Sequence, residues 1–180
     1  MKEIPNIRFN IFKAKSIEPD YIDLDLGMKQ RLKRFPVEWI GAKPNADDFI
    51  IEVVDHSSWP VKVQESSVSD PRELYFYNVF VERVYDGDTA TKVLITLANL
   101  GFIEEREWSV RLLGLYTPEM NEPNGPEMAQ VLKGHIEGQW AILATERDKD
   151  GKYGRLLGTF FKDQINVNEA MKRALNQKEG

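Results

Sequence analysis

Two short runs carry the residue types that do chemistry. The first is Asp86-Gly87-Asp88-Thr89, an acidic tight turn. The second is Arg111-Leu112-Leu113-Gly114-Leu115-Tyr116-Thr117-Pro118-Glu119, an arginine and a glutamate on either side of a Thr-Pro turn. Two apolar-alternating segments lie between them. Carboxylates gather a hard cation through oxygen, a guanidinium offers paired donors to phosphate, and a further carboxylate can take a proton from water. In this order the residues suggest a metal and phosphate site on a small β-barrel. Tyr116 suits neither task, because a neutral phenol is a poor ligand for such a cation.

The elements that must position these residues read as follows. Leu74 to Tyr85 is aromatic and β-branched and predicts a strand. Asp86-Gly87-Asp88 is a turn in which glycine supplies backbone freedom. Lys92 to Ala98 alternates, and Glu105 to Leu113 pairs back to complete a three-stranded meander. After Pro118 the period changes. Pro126 and Glu127 suit a helix start; Met128, Val131, Leu132 and Ile136 follow at helical spacing, and Gly138 ends the segment. Trp140 to Glu146 is a fourth strand, Arg147 to Gly154 a charged hairpin turn, and Leu156 to Phe161 a fifth strand. Asn166 caps a last helix whose apolar face is Val167, Ala170, Met171, Ala174 and Leu175, with a frayed polar end at 177–180. The order β-β-β-α-β-β-α over residues 74–180 predicts an α+β protein, mainly β with α: a five-stranded OB-fold barrel with two helices.

Residues 1–73 read as a separate β-rich part. Ile7 to Lys15 predicts a strand, Ser16 to Asp20 a turn, and Tyr21 to Met28 a half-buried strand with Ile22, Leu24 and Leu26 on one face. The basic cluster Lys29 to Arg34 predicts a hairpin end, Phe35 to Ile40 the return strand, and Phe49 to Val54 another strand. Asp55 to Pro71, rich in Ser, Pro and charge, predicts a loop or linker. There is also an internal echo. Ile22 to Gly27 resembles Leu94 to Gly101, and Phe35 to Gly41 resembles Trp108 to Gly114. One reading is a reduced second barrel without a site, with Glu38 where Arg111 stands. The other is that any two hairpins with a glycine turn look alike.

Composition narrows the chemistry. The chain has 180 residues, 42% hydrophobic and 29% charged, the balance of an ordinary soluble globular protein. It has no cysteine, which excludes disulfides and thiolate metal sites, and only His56 and His135 to offer imidazole. The net charge of −5 argues against non-specific binding to nucleic acid, so a polyanion site must be a local basic pocket. Met1 to Lys15 lacks an apolar signal core, and no run of about 18 apolar residues occurs. The expectation is a cytoplasmic protein with no membrane association.

Six motifs occur together: Asp86-Gly87-Asp88-Thr89, Arg111-Leu112-Leu113-Gly114, Thr117-Pro118-Glu119, Gly125-Pro126-Glu127, Lys152-Tyr153-Gly154-Arg155 and Val167-Asn168-Glu169-Ala170. In this order and at these spacings the chain resembles the staphylococcal nuclease family over about residues 76–176. The resemblance implies an OB-fold barrel that hydrolyses phosphodiesters in DNA and RNA with one calcium ion. It implies Asp88 and the Thr117 carbonyl as calcium ligands and Glu119 as the base that activates water. It further implies Arg111 and Arg155 as the phosphate grip, and Lys152 and Tyr153 as the lining of a nucleotide pocket. The chemistry suits these types, since donors preorganised at developing charge on phosphorus stabilise the transition state.

The sequence departs from the family at Tyr116, where the family has a second calcium-binding aspartate. Calcium affinity follows ligand charge, so weak binding is expected unless Asp86 or Glu122 leans in. The loop from Glu119 to Gly125 is also shorter than the family's. Tyr116 is either a packed aromatic that replaced a ligand or a residue that stacks on a base or orients phosphate. Two functions follow. One is a metal-dependent nuclease, weakened by Tyr116, acting on single-stranded DNA or RNA. The other is an inactive module that binds nucleic acid or protein.

Overall fold

The computed structural model describes residues 11–18, 20–25, 31–36, 48–55, 62–68, 70, 73–96, 105–150 and 155–179. The chain divides into two compact units, one built chiefly from Tyr77–Ile95 and Glu105–Gly180, the other from Pro5–Phe76 and Thr96–Glu104.

The larger unit is a closed barrel. Strands β6 (Phe76–Asp86), β7 (Thr89–Thr96) and β8 (Glu105–Leu112) form a meander. Helix α1 (Gly125–Ile136) follows, then β9 (Gln139–Asp150), β10 (Leu156–Lys162), the two-residue β11 (Ile165–Asn166) and helix α2 (Val167–Glu179). The sheet order is β11-β10-β8-β7-β6-β9, and an antiparallel β9–β10 pairing closes it. One contact is parallel: β10 runs beside β8, with Leu157 opposite Arg111. The result is a five-stranded mixed barrel with two helices, an OB-type α+β architecture.

The barrel core comes from the inward-facing positions of each strand, including Val79, Val81, Val93, Ile95, Val110, Leu112, Leu143 and Phe160. Helix α1 buries Met128, Ala129, Leu132 and Ile136, spaced to fall on one face. Pro126 sits in its first turn, where the missing N–H costs no helical bond. The chain leaves α1 through Gly138, at φ +69°, whose N–H donates to the Val81 carbonyl at 2.8 Å. Asn166 caps α2 by accepting from the Glu169 N–H at 3.1 Å.

The other unit holds one antiparallel sheet of β1 (Ile11–Glu18), β2 (Tyr21–Asp25), β3 (Arg31–Pro36), β4 (Asp48–Asp55) and β5 (Lys62–Glu65), ordered β3-β2-β1-β4-β5. Among the described side chains of this sheet, Phe12, Ala14, Ile22, Leu24 and Ile51 are buried. This is the neighbour order of β8-β7-β6-β9-β10 in the barrel. The described parts of the echoed segments lie on β2 (22–25) and β7 (94–96), and on β3 (35–36) and β8 (108–112); the rest of 22–27, 35–41 and 94–101 lies outside the described residues. Among the described residues no pairing joins β3 to β5.

Several boundaries differ from the sequence reading, and in the strands this is because pairing outweighs local preference. Strand β1 continues through Ser16 to Glu18, because Ser16 pairs with Ile22 and Glu18 with Tyr21. The basic cluster is largely strand: Arg31 stands opposite Asp25 and Leu32 opposite Leu24. The expected loop of 55–71 contains β5, recruited by Val53 opposite Val63. Strand β9 extends through Asp150, past the expected start of the hairpin turn. The β10–β11 hairpin was not foreseen; Asp163 and Gln164 take its positive φ angles of 46° and 65° without glycine. Helix α2 runs to Glu179, into the stretch expected to fray. Residues 37–40 of the expected return strand and 151–154 of the expected hairpin turn lie outside the described residues.

Candidate functional site

The site begins where β6 turns into β7. Asp86, Asp88 and Thr89 are all buried, which is unusual for a two-residue surface turn. The Asp88 N–H donates to Asp86 Oδ1 at 3.0 Å, and this side-chain bond shapes the turn. Gly87 does not hold a left-handed backbone; glycine is needed there for space. A Cβ would lie 2.7 Å from Met128 Cβ and 2.8 Å from Thr117 Oγ1. The sequence reading of Gly87 as a source of backbone freedom is corrected accordingly.

The Asp88 carboxylate is the hub. Thr89 Oγ1 donates to its Oδ1 at 2.8 Å. Arg111 Nη2 donates to Oδ2 at 3.0 Å, and the Thr117 N–H approaches the same oxygen at 3.3 Å. Arg111 reaches the hub because it alternates outward on β8 between buried Val110 and Leu112. The register is fixed by the Leu112 N–H, which donates to the Asp88 carbonyl at 2.8 Å. Arg155 arrives from the start of β10, and its Nη1 donates to Thr89 Oγ1 at 3.4 Å. A continuous chain of polar contacts therefore runs Arg111, Asp88, Thr89, Arg155.

The Thr-Pro-Glu segment is fastened on the same side. Leu115 is buried, and Thr117 is tied to Asp88. Glu119 donates its N–H to Glu122 Oε2 at 2.7 Å, and its carbonyl lies so close to Gly125 that a Cβ there would come within 1.9 Å. The short loop from Glu119 to Gly125 is thereby a tight clamp. Tyr116 points out: it is 78% exposed, and the Arg111 guanidinium carbon lies 4.8 Å from its ring centre.

Burial pushes the Asp86 carboxyl above the usual carboxylate range, and the nearby Asp88 and Glu119 carboxylates add to the rise. The bond from the Asp88 N–H works the other way. Asp86 is thus close enough to feel both carboxylates.

This donor set does not make a calcium cage. Calcium takes six to eight oxygens, with its affinity set by ligand charge. The Asp88 carboxylate already accepts from Arg111, Thr89 and Thr117. Asp86 uses Oδ1 on the Asp88 N–H, and Glu122 is bound to the Glu119 backbone. Among the described residues no three His, Cys, Asp or Glu side chains form a group able to hold a metal ion.

Of the residues singled out by the sequence, Asp88, Arg111, Thr117 and Arg155 meet in one network. Tyr116 stacks against Arg111, and Glu119 is exposed, with its charge bearing on Asp86. Lys152 and Tyr153 lie outside the described residues. One supporting residue, present in the motif Val167-Asn168-Glu169-Ala170, was given no role by the sequence reading. Asn168, 2% exposed, accepts from the Phe160 N–H and donates to the Leu113 and Gly158 carbonyls, each at 3.1 Å. It ties the segment that leads from Arg111 to Tyr116 onto the strand that leads from Arg155. The signal was an asparagine beside the apolar face of α2, where a buried amide must find partners.

No helix among the described residues is long and apolar enough to cross a membrane. Compared with models of known protein families and with curated proteins, the chain matches none.

Proposed function

We propose that the barrel binds single-stranded nucleic acid through its phosphodiester backbone, as a staphylococcal-nuclease-like module in which Arg111 and Arg155 grip one phosphate. The observation that carries this is the Arg111–Asp88–Thr89–Arg155 chain. It brings guanidiniums from β8 and the start of β10 to one short acidic turn. Guanidiniums match phosphate as paired planar donors, and the bonds are charge-assisted. Asp88 holds Arg111 in place before any ligand arrives, which reduces the ordering cost of binding. The grip lies within a protein of net charge −5, so binding depends on these local donors and not on a general basic surface.

A second reading, hydrolysis, is favoured by Glu119. Its carboxylate bears on Asp86 and the residue is exposed, as suits a base that takes a proton from water. In that reading the chain is a weak nuclease.

One experiment addresses both. Purified full-length chain is mixed with a labelled single-stranded oligonucleotide, in chelator and in millimolar calcium, and both binding and cleavage are followed. Binding without cleavage in both buffers supports the module. Calcium-dependent cleavage that Glu119→Gln abolishes establishes the nuclease. Neither binding nor cleavage contradicts both.

A further inference from the structure

We infer that Tyr116 is a stacking platform for an unpaired nucleobase next to the gripped phosphate, so that the site distinguishes a strand carrying bases from a bare phosphodiester chain. The inference rests on the phosphate-binding reading given above.

Tyr116 is more exposed than any other large apolar side chain among the described residues, at 78%. Yet its backbone is held on both sides. Leu115 is buried beneath the loop, Thr117 is tied to Asp88, and the Glu119 carbonyl is shut against Gly125. An aromatic ring presented from a rigid segment loses little freedom when it meets a partner. Arg111 lies over the ring with its guanidinium carbon 4.8 Å from the ring centre. The guanidinium and the ring attract each other through the ring quadrupole, which sets the orientation of the ring.

The same guanidinium is half of the phosphate grip. A nucleotide whose phosphate meets Arg111 therefore has its own base, or its neighbour's, within reach of Tyr116. Base-on-aromatic stacking accepts every base, since each presents a π-face, so the selectivity is for unpaired bases and not for sequence. A tyrosine stacked on the phosphate-binding arginine serves the nucleoside.

The test uses the full chain in chelator with two labelled probes: a short oligothymidylate, and an abasic phosphodiester oligomer of equal length. The wild type is expected to bind the oligothymidylate about ten-fold more tightly, the size of one stacking contact. Tyr116→Leu, which keeps bulk but has no π-face, should lose this preference while holding the abasic probe as before. Tyr116→Phe should retain it. Arg111→Gln should weaken both probes. If Tyr116→Leu keeps the wild-type preference while Arg111→Gln weakens both, the stacking inference fails and the phosphate reading stands. If Arg111→Gln and Arg155→Gln leave both probes unaffected, the phosphate reading fails and takes the inference with it.

Discussion

Arg111 donates to the Asp88 carboxylate at 3.0 Å, so the cation that faces this acidic turn is a side chain of the protein itself. The aspartate is almost wholly buried, while the arginine keeps 23% of its side chain exposed. The pair is thus anchored at its acidic end and open at its basic end. Such a pair can present a guanidinium to an incoming phosphate without being dismantled. Asp88→Asn keeps the shape of the acceptor and removes its charge. It is expected to destabilise the chain by about 2 kcal/mol, the worth of hydrogen bonds to a buried charge. Urea unfolding of the variant beside the wild type measures this, and equal midpoints would show that the pair contributes nothing.

On the proposed function, nucleic-acid binding should be indifferent to calcium. Arg111 already neutralises Asp88, and Tyr116 supplies no second carboxylate. Affinity for an oligonucleotide in chelator should match that in millimolar calcium at constant ionic strength. Tyr116→Asp restores a carboxylate beside Thr117 and should create a calcium dependence that the parent lacks. Calorimetric titration with calcium reads this directly; tight calcium binding by the parent would contradict the account of the donor set.

Asp86 makes stability depend on pH. Burial raises its carboxyl in the native state, whereas the unperturbed group titrates at 3.8. The native state therefore holds the proton to higher pH than the unfolded chain does. Its contribution is fully present below 3.8 and is lost as pH rises through the folded value. Asp86→Asn keeps the Oδ1 acceptor for the Asp88 N–H but cannot ionise. Measured by urea unfolding in chelator, the variant should gain on the wild type as pH rises above 3.8. A wild type that gains on the variant over that range would reverse the assignment.

Gly125→Ala tests the loop clamp. A Cβ there would meet the Glu119 carbonyl at 1.9 Å, a distance that only backbone movement relieves. Overpacking of this kind costs about 1–3 kcal/mol. The movement should loosen the segment carrying Tyr116, Thr117 and Glu119, seen as faster amide hydrogen exchange there than in α1. Gly134→Ala, which meets nothing within 4 Å, is the control and should leave exchange in that segment unchanged. Unaltered exchange in Gly125→Ala would mean that the clamp does not fix the loop.

The barrel was legible because each strand alternates and each helix carries an apolar stripe. Val93 and Ile95, or Met128, Leu132 and Ile136, announce their faces without help from the rest of the chain. Strands made by pairing were harder. Lys62 to Glu65 has little strand character of its own and becomes β5 only beside β4. Arg31 to Arg34 reads as a solvated turn until Asp25 and Leu24 stand across from it. For the site, residue types named the participants but not their partners. Nothing in the sequence says that Arg111 would close on Asp88, or that Thr117 would present its N–H. The role of Asn168 was hidden for the same reason, since one of its bonds reaches Leu113, far from it in the chain, and the others cross the turn after β10 to Gly158 and Phe160.

The most direct test of the phosphate grip is the salt dependence of oligothymidylate binding, followed by fluorescence anisotropy in chelator, for the wild type, Arg111→Gln and Arg155→Gln. Each arginine that neutralises a phosphate on a single strand contributes about 0.7 to the slope of log K against log salt. Each variant should bind more weakly and with a shallower slope by about that amount. Variants that bind as tightly as the wild type, with an unchanged slope, would contradict the assignment of Arg111 and Arg155 as its phosphate ligands.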